Sequence, residues 1–152
     1  MNSIVIEQSP DHMALAQQVH QNASIERIRM VRAKAAAPSV ETHGQLDVNF
    51  NVKSKLVTAP PGMLRLQIGF RMAGVREAEP EPAVLVECAY EVDYLLREGF
   101  QVTPEQVKAF KDGNGIFNAW PYFREYLQNS LVRMGLPPLA APFLRLQAKA
   151  TS

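Results

Sequence analysis

Three segments of this sequence alternate apolar and polar residues with a period of two. Leu46, Val48, Phe50 and Val52 interleave with Asp47, Asn49, Asn51 and Lys53. Leu64, Leu66, Ile68, Phe70 and Met72 do so with Arg65, Gln67 and Arg71, and Val84 through Tyr94 with Glu87, Glu91 and Asp93. Strict alternation predicts strands with one face on a core and the other face wetter. A fourth strand, over 25–36, is less regular. Ile28 and Met30 share one phase and Val31 and Ala33 the other, which a bulge or a two-sided environment explains. Breakers separate the segments at 38–44, 59–62 and 77–82. Four sequential strands with such links predict an antiparallel meander.

Helical signals flank the strands. Ser9-Pro10-Asp11 reads as a helix start, with Ser capping, Pro at the first helical position and Asp at the positive end. The apolar face of that helix, Leu15 and Val19, is narrow, so it belongs at the periphery. Thr103-Pro104-Glu105-Gln106 matches a capping box and opens a short helix with Val107 and Phe110 facing inward. The 111–115 run KDGNG is expected to break it. A longer helix is predicted from about 118–121 to Met134, with Phe123, Tyr126, Leu127 and Leu131 at helical spacing and Gly135 as its C-terminal cap. Pro137, Pro138 and Pro142 leave an extended tail. The fold class is α+β, a four-stranded antiparallel sheet followed by a short and a long helix on one face. The expected organisation is an extension over 1–24, a domain over 25–146 and a short flexible tail over 147–152.

Length and charge narrow the function classes. At 152 residues the chain fits one domain. Sixteen Lys and Arg against fifteen Asp and Glu give +1, which argues against a nucleic-acid partner. No stretch is long and apolar enough for a membrane span, and the first ten residues lack the pattern of a secretory signal. A cytoplasmic location is therefore expected. The single cysteine, Cys88, excludes an internal disulfide. His12, His20 and His43 have no ligand-like spacing to one another or to other metal-binding residues. Glu87, Glu91 and Asp93 share a sheet face with Lys53, Lys55, Arg65 and Arg71 of neighbouring strands, so cross-strand ion pairs account for them. No catalytic, metal or cofactor constellation emerges, and the chain is expected not to be an enzyme. The aromatic supply around the helices, including Phe100, Phe117, Trp120, Tyr122 and Phe143, points instead to an oligomer interface, a groove for extended apolar polypeptide, or both.

The 119–143 stretch, AWPYFREYLQNSLVRMGLPPLAAPF, resembles the signature of the bacterial SecB-like export chaperones. The resemblance is carried by Pro121, Tyr122, Arg124 and Glu125, by Arg133 downstream with a Gly nearby, and by Pro137, Leu139 and Pro142. The element order agrees, as do the length of the opening strand and its closing Ala-Pro. The resemblance covers about 25–146. It implies subunits paired into dimers and packed through the long helices as a homotetramer. It also implies a holdase that needs no ATP and keeps unfolded precursors extended in apolar grooves for transfer to the SecA translocation motor.

On that analogy the client-binding residues are Val40, Phe100, Val102, Phe117, Trp120, Leu136 and Leu139. The signature residues Pro121, Tyr122, Arg124, Glu125 and Arg133 belong to the oligomer interface. The motor-docking positions read Arg32, Ala36, Leu85 and Glu87. Arg32 stands where the family carries an acid, so it should repel a basic motor surface. The sequence also ends soon after the signature, without the family's longer C-terminal helix and acidic tail. Two alternatives follow. One is a SecB-like chaperone dedicated to a single client such as an antitoxin. The other is a small oligomeric ligand-binding protein or enzyme, for which Glu91, Asp93, His43 and Cys88 are the candidates.

Overall fold

The computed structural model describes residues 4–38, 46–77, 79–137, 139 and 141–150. In chain order the elements are β1 (Ile4–Gln8), α1 (Pro10–His20), β2 (Ala23–Ala36), β3 (Asp47–Val57), β4 (Met63–Val75) and β5 (Val84–Leu96). They continue with α2 (Pro104–Phe110), a π-helical turn (Lys111–Gly115), α3 (Ile116–Arg133) and β6 (Leu144–Ala148). The four long strands form the expected antiparallel sheet, with the helices on one face.

Its order is β2-β5-β4-β3, so only β3 to β5 form a meander. β2 lies beside β5, which corrects the simple meander to a Greek-key order. Charge explains the choice. On β5, Asp93 and Glu91 stand opposite Arg27 and Arg29 of β2. The same face of β3 carries Lys53 and Lys55, and like charges placed opposite one another would destabilise a β2–β3 pair. The phase switch in β2 is a pair of bulges, between Ile25 and Arg27 and between Met30 and Arg32. Val31 is the extra residue of the second, which lets Met30 and Ala33 point to the same face.

The core lies between the sheet and the helices. Leu66, Ile68, Val86 and Val92 meet Phe110, Phe123 and Leu127, and Phe70 stacks on Phe123 at 5.0 Å. The caps form as the sequence predicts. Ser9 Oγ accepts from His12 N–H, and Thr103 and Gln106 complete the capping box. Val19 of α1 is fully buried against this core, and Gln106 donates to Gln18 to tie α2 to α1.

The 111–115 run does not break the helix. It winds as a π turn that feeds α3, so Pro121 lies inside α3 rather than at its start. Burial of Ile116, Ala119 and Trp120 in the preceding turns offsets the cost of an interior Pro, about 3 kcal/mol. The glycines serve close approach here. A Cβ on Gly115 would sit 2.9 Å from Leu66 Cδ1, and one on Gly113 2.7 Å from Gln8 Oε1.

A second sheet is absent from the sequence reading. β1 and β6 pair in parallel, Ile4 opposite Leu144 through Gln8 opposite Ala148, and bring both ends of the described chain together. Gln8 is buried beneath the π turn, where its Nε2 donates to Ala109 O at 2.9 Å.

Candidate functional site

The helices cover β4 and β5 but stop short of β3. Inward-facing positions of β4 and β5 are buried, whereas Val48, Val52 and Leu56 on the same face of β3 are 41%, 37% and 55% exposed. β3 is also an edge strand of eleven residues, paired only with β4. An apolar strip therefore runs beside a row of backbone N–H and C=O groups with no partner strand.

Two recesses open along this strip. The larger, about 220 Å³, is walled by Leu46, Val48, Met72, Leu131, Leu136 and Leu139. The end of α3 builds one wall. Gly135, at φ 74°, donates to Val132 O, and Leu136 N–H donates to Leu131 O at 2.9 Å. This is a Schellman motif, which seats Leu136 over Leu131 and fixes where the chain leaves the helix. The smaller recess, about 60 Å³, lies among Ile4, Ile6, Phe50, Ile116, Trp120 and Leu144. The Phe50 ring meets Trp120 and Phe123 edge-on at 6.0 and 6.5 Å.

Of the client residues inferred from the sequence, Leu136 and Leu139 come together in the larger recess. Trp120 borders the smaller one but is 5% exposed, with its indole N–H donated to Pro142 O at 2.9 Å. Phe100, Val102 and Phe117 line neither recess. Val40 and His43 lie outside the described residues. The sequence reading missed Leu46, Val48 and Leu131 as cleft residues. The alternation of Leu46 and Val48 looks the same whether a helix covers them or not, so only the edge position of β3 reveals them, while Leu131 is a buried core residue of α3 that also lines the recess.

The signature residues divide. Arg124 places its guanidinium 4.8 Å from the Phe143 ring centroid, a cation–π contact that helps hold the segment after α3. Pro121, Tyr122, Glu125 and Arg133 are exposed along α3. The opposite face of the sheet is polar. Ala36 stands opposite Leu85 and Lys34 opposite Glu87, while Arg32 is opposite Ala89, so Arg32, Ala36, Leu85 and Glu87 share that face within a few residues of one another. Asp93 binds Arg65 through two bonds, at 2.7 and 3.2 Å, and Arg27 at 3.0 Å. Arg65 above all, then Arg27, holds its carboxyl below the usual range against the opposing effect of burial. Arg29 pairs with Glu91 at 2.9 Å and Arg71 with Glu87 at 3.1 Å.

Cys88 lies on the other face of β5, where burial pushes its thiol up to about 11 and keeps it protonated at neutral pH. The acids and the thiol are thus separated by the sheet and form no nucleophile–base pair. Among the described residues no group of three His, Cys, Asp or Glu can hold a metal ion. Among them, too, no helix is long and apolar enough to cross a membrane.

No family model and no curated protein matches the chain. Among solved structures, it is similar to the Mycobacterium tuberculosis SecB-like chaperone in complex with a ChAD peptide from the HigA1 antitoxin. The TM-score is 0.76 at 20% identity, over 87% of this chain and 97% of that one. A protein of unknown function from Streptococcus agalactiae aligns with a TM-score of 0.49 at 12% identity, over 80% of this chain and 97% of that one. The first likeness gives the chain the SecB-like fold.

Proposed function

We propose that this SecB-like subunit is a holdase that needs no ATP and grips non-native polypeptide along β3, with a dedicated client. The observation that carries the reading is the uncovered apolar strip beside an unpaired strand edge. An extended chain laid there can pair its backbone with β3 and drop alternate side chains into the recesses. Covering Val48, Val52 and Leu56 contributes about 1 kcal/mol each, since each is already about half buried. Such a grip holds an unfolded segment and withdraws it from aggregation.

A dedicated client is favoured over general export on two grounds. The similar mycobacterial chaperone holds a peptide from an antitoxin, so a segment of that kind is the client class proposed here. The outer face also presents Arg32 where a basic motor would need an acid. Packing as a dimer of dimers, through the exposed residues of α3, belongs to the same proposal.

Dilution of a chemically unfolded apolar client into stoichiometric protein without ATP tests the reading, with the mass followed by light scattering. Suppressed aggregation is expected, lost by at least fivefold in Leu136→Asp and Leu139→Asp without change of mass. Equal suppression by both variants would refute the cleft assignment. Failure to protect any client in a panel that includes antitoxin segments would refute the holdase.

A further inference from the structure

The outer face of the sheet has a cationic hollow that belongs to no part of the groove. Consecutive rows cross all four strands. One reads Lys34, Glu87, Arg71, Asn51, and another reads Arg29, Glu91, Gln67, Lys55. In both, a carboxylate neutralises an arginine, Arg71 at 3.1 Å and Arg29 at 2.9 Å. The row between them reads Arg32, Ala89, Gly69, Lys53. Where its neighbours carry an acid it carries Ala89, and Gly69 beside it has no side chain. Among the described residues Arg32, Lys53 and Lys55 make no ion pair.

The two small residues floor a hollow of about 450 Å³ whose rim includes Arg32, Lys53, Lys55 and the Arg71–Glu87 pair, so the unpaired charge on it is cationic. Arg32 leans inward, with its Nη2 4.0 Å from where a Cβ on Gly69 would lie. It thereby crosses Ala89, which is 1% exposed. Three strand spacings separate the backbones of Arg32 and Lys53, about 14 Å. A carboxylate entering from outside fits between the two cations, above Gly69.

The geometry points to a docking site for an acidic segment of a partner polypeptide, with one Asp or Glu carboxylate seated over Gly69 between Arg32 and Lys53. Charge complementarity selects this occupant. Glu87 on the rim and Glu91 in the next row place a carboxylate on either side of the central cations, which disfavours a continuous phosphate backbone, whereas separated carboxylates can align with the separated cations. The chain's net charge of +1 supplies no broad field for a nucleic acid. A basic partner finds its complement nowhere in this row.

Gly69→Glu provides the test, because nothing lies closer than 4.0 Å to the added Cβ and a side chain favours a strand over glycine. It places a carboxylate of the chain itself in the hollow. Lys108→Ala changes net charge by the same unit at a site on α2, away from this face, and serves as control. The probe is a fluorescein-labelled twelve-residue peptide of alternating Glu and Ser, with its Gln counterpart, read by anisotropy at low salt.

Binding of the Glu peptide is expected to weaken at least tenfold in Gly69→Glu and in Arg32→Ala, and less than twofold in Lys108→Ala, with no binding of the Gln peptide. Equal effects of Gly69→Glu and Lys108→Ala would overturn the site, as would equal binding of both peptides. Tighter binding of an oligothymidylate would replace the acidic peptide with a phosphate polymer. Self-association abolished by Gly69→Glu would replace it with a second copy. Holdase activity unchanged in Gly69→Glu separates this site from the β3 cleft, so either proposal can fail alone.

Discussion

Replacing Gly113 by alanine tests how β1 is locked to the helices. The added Cβ would lie 2.7, 2.8 and 2.9 Å from Oε1, Nε2 and Cδ of Gln8, closer than non-bonded carbons and amides approach. Gln8 cannot simply swing away. It is buried, and its amide donates to Ala109 O at 2.9 Å. Displacing it leaves a buried amide and a buried carbonyl unpaired, at a cost of about 1–3 kcal/mol. Alanine in a helical position returns roughly 0.5–1 kcal/mol. The expected net loss for Gly113→Ala therefore lies within about 0–2.5 kcal/mol, centred near 1 kcal/mol.

Gln8→Ala alone should cost about 1–3 kcal/mol, from the same orphaned carbonyl. In the double variant the clash has no partner, so the losses should fall short of their sum by at least about 1 kcal/mol. Urea unfolding at fixed protein concentration measures this cycle, with the single tryptophan, Trp120, as the buried reporter. Each single variant should lower the midpoint by about 0.5–1 M at ordinary slopes. Additivity within about 0.5 kcal/mol, or a stabilising Gly113→Ala, would refute the account of the π turn as a seat for Gln8.

Two further outcomes follow from the ion pairs and from the segment after α3. Asp93 titrates lower in the folded chain than unfolded, so its contribution is present above the ordinary carboxylate range and disappears as pH falls through its depressed folded value. Asp93→Asn should lower the urea midpoint at pH 7 and flatten its acid decline; an unchanged pH profile would deny the pairing with Arg65 and Arg27. Trp120→Phe leaves Pro142 O without its donor, at about 1–3 kcal/mol. Because Phe143 O accepts from Ile4 N–H at 2.8 Å, amide exchange at Ile4 should accelerate in that variant by at least tenfold, and unchanged exchange would show the two ends to be held independently.

The long strands were legible because alternation continues for as many as six pairs of residues, and the capping residues marked two helix starts without reference to the rest of the fold. Strand order was not legible. It depends on which outward charges meet, and Arg27 finding Asp93 is a relation between segments 66 residues apart. The glycines at 113 and 115 carry the same letters as a turn but act as clearances for Gln8 and Leu66. β1 and β6, with five residues each, are too short for a periodic signal and gain their pairing only from each other. Leu136 and Leu139 were identified through the resemblance, while the β3 half of their cleft was hidden because edge and centre strands share one pattern. The hollow is visible in the sequence only as an interruption, where Gly69 and Ala89 replace polar residues in otherwise regular outward phases.

The parallel pairing of β1 with β6 also sets an order of assembly. β1 has no strand to join until β6 exists, and Gln8 reaches Ala109 across 101 residues. At about 5–20 residues per second, a nascent chain waits roughly 5–20 s between making Gln8 and making its acceptor. During that interval Ile4 and Ile6 lack their place beside Phe50 and Trp120, so the smaller recess has no wall on that side. Of the described strands β6 is made last and is the one that completes the smaller recess, so a chain halted before it would hold the four-stranded sheet without the Leu144 wall of that recess.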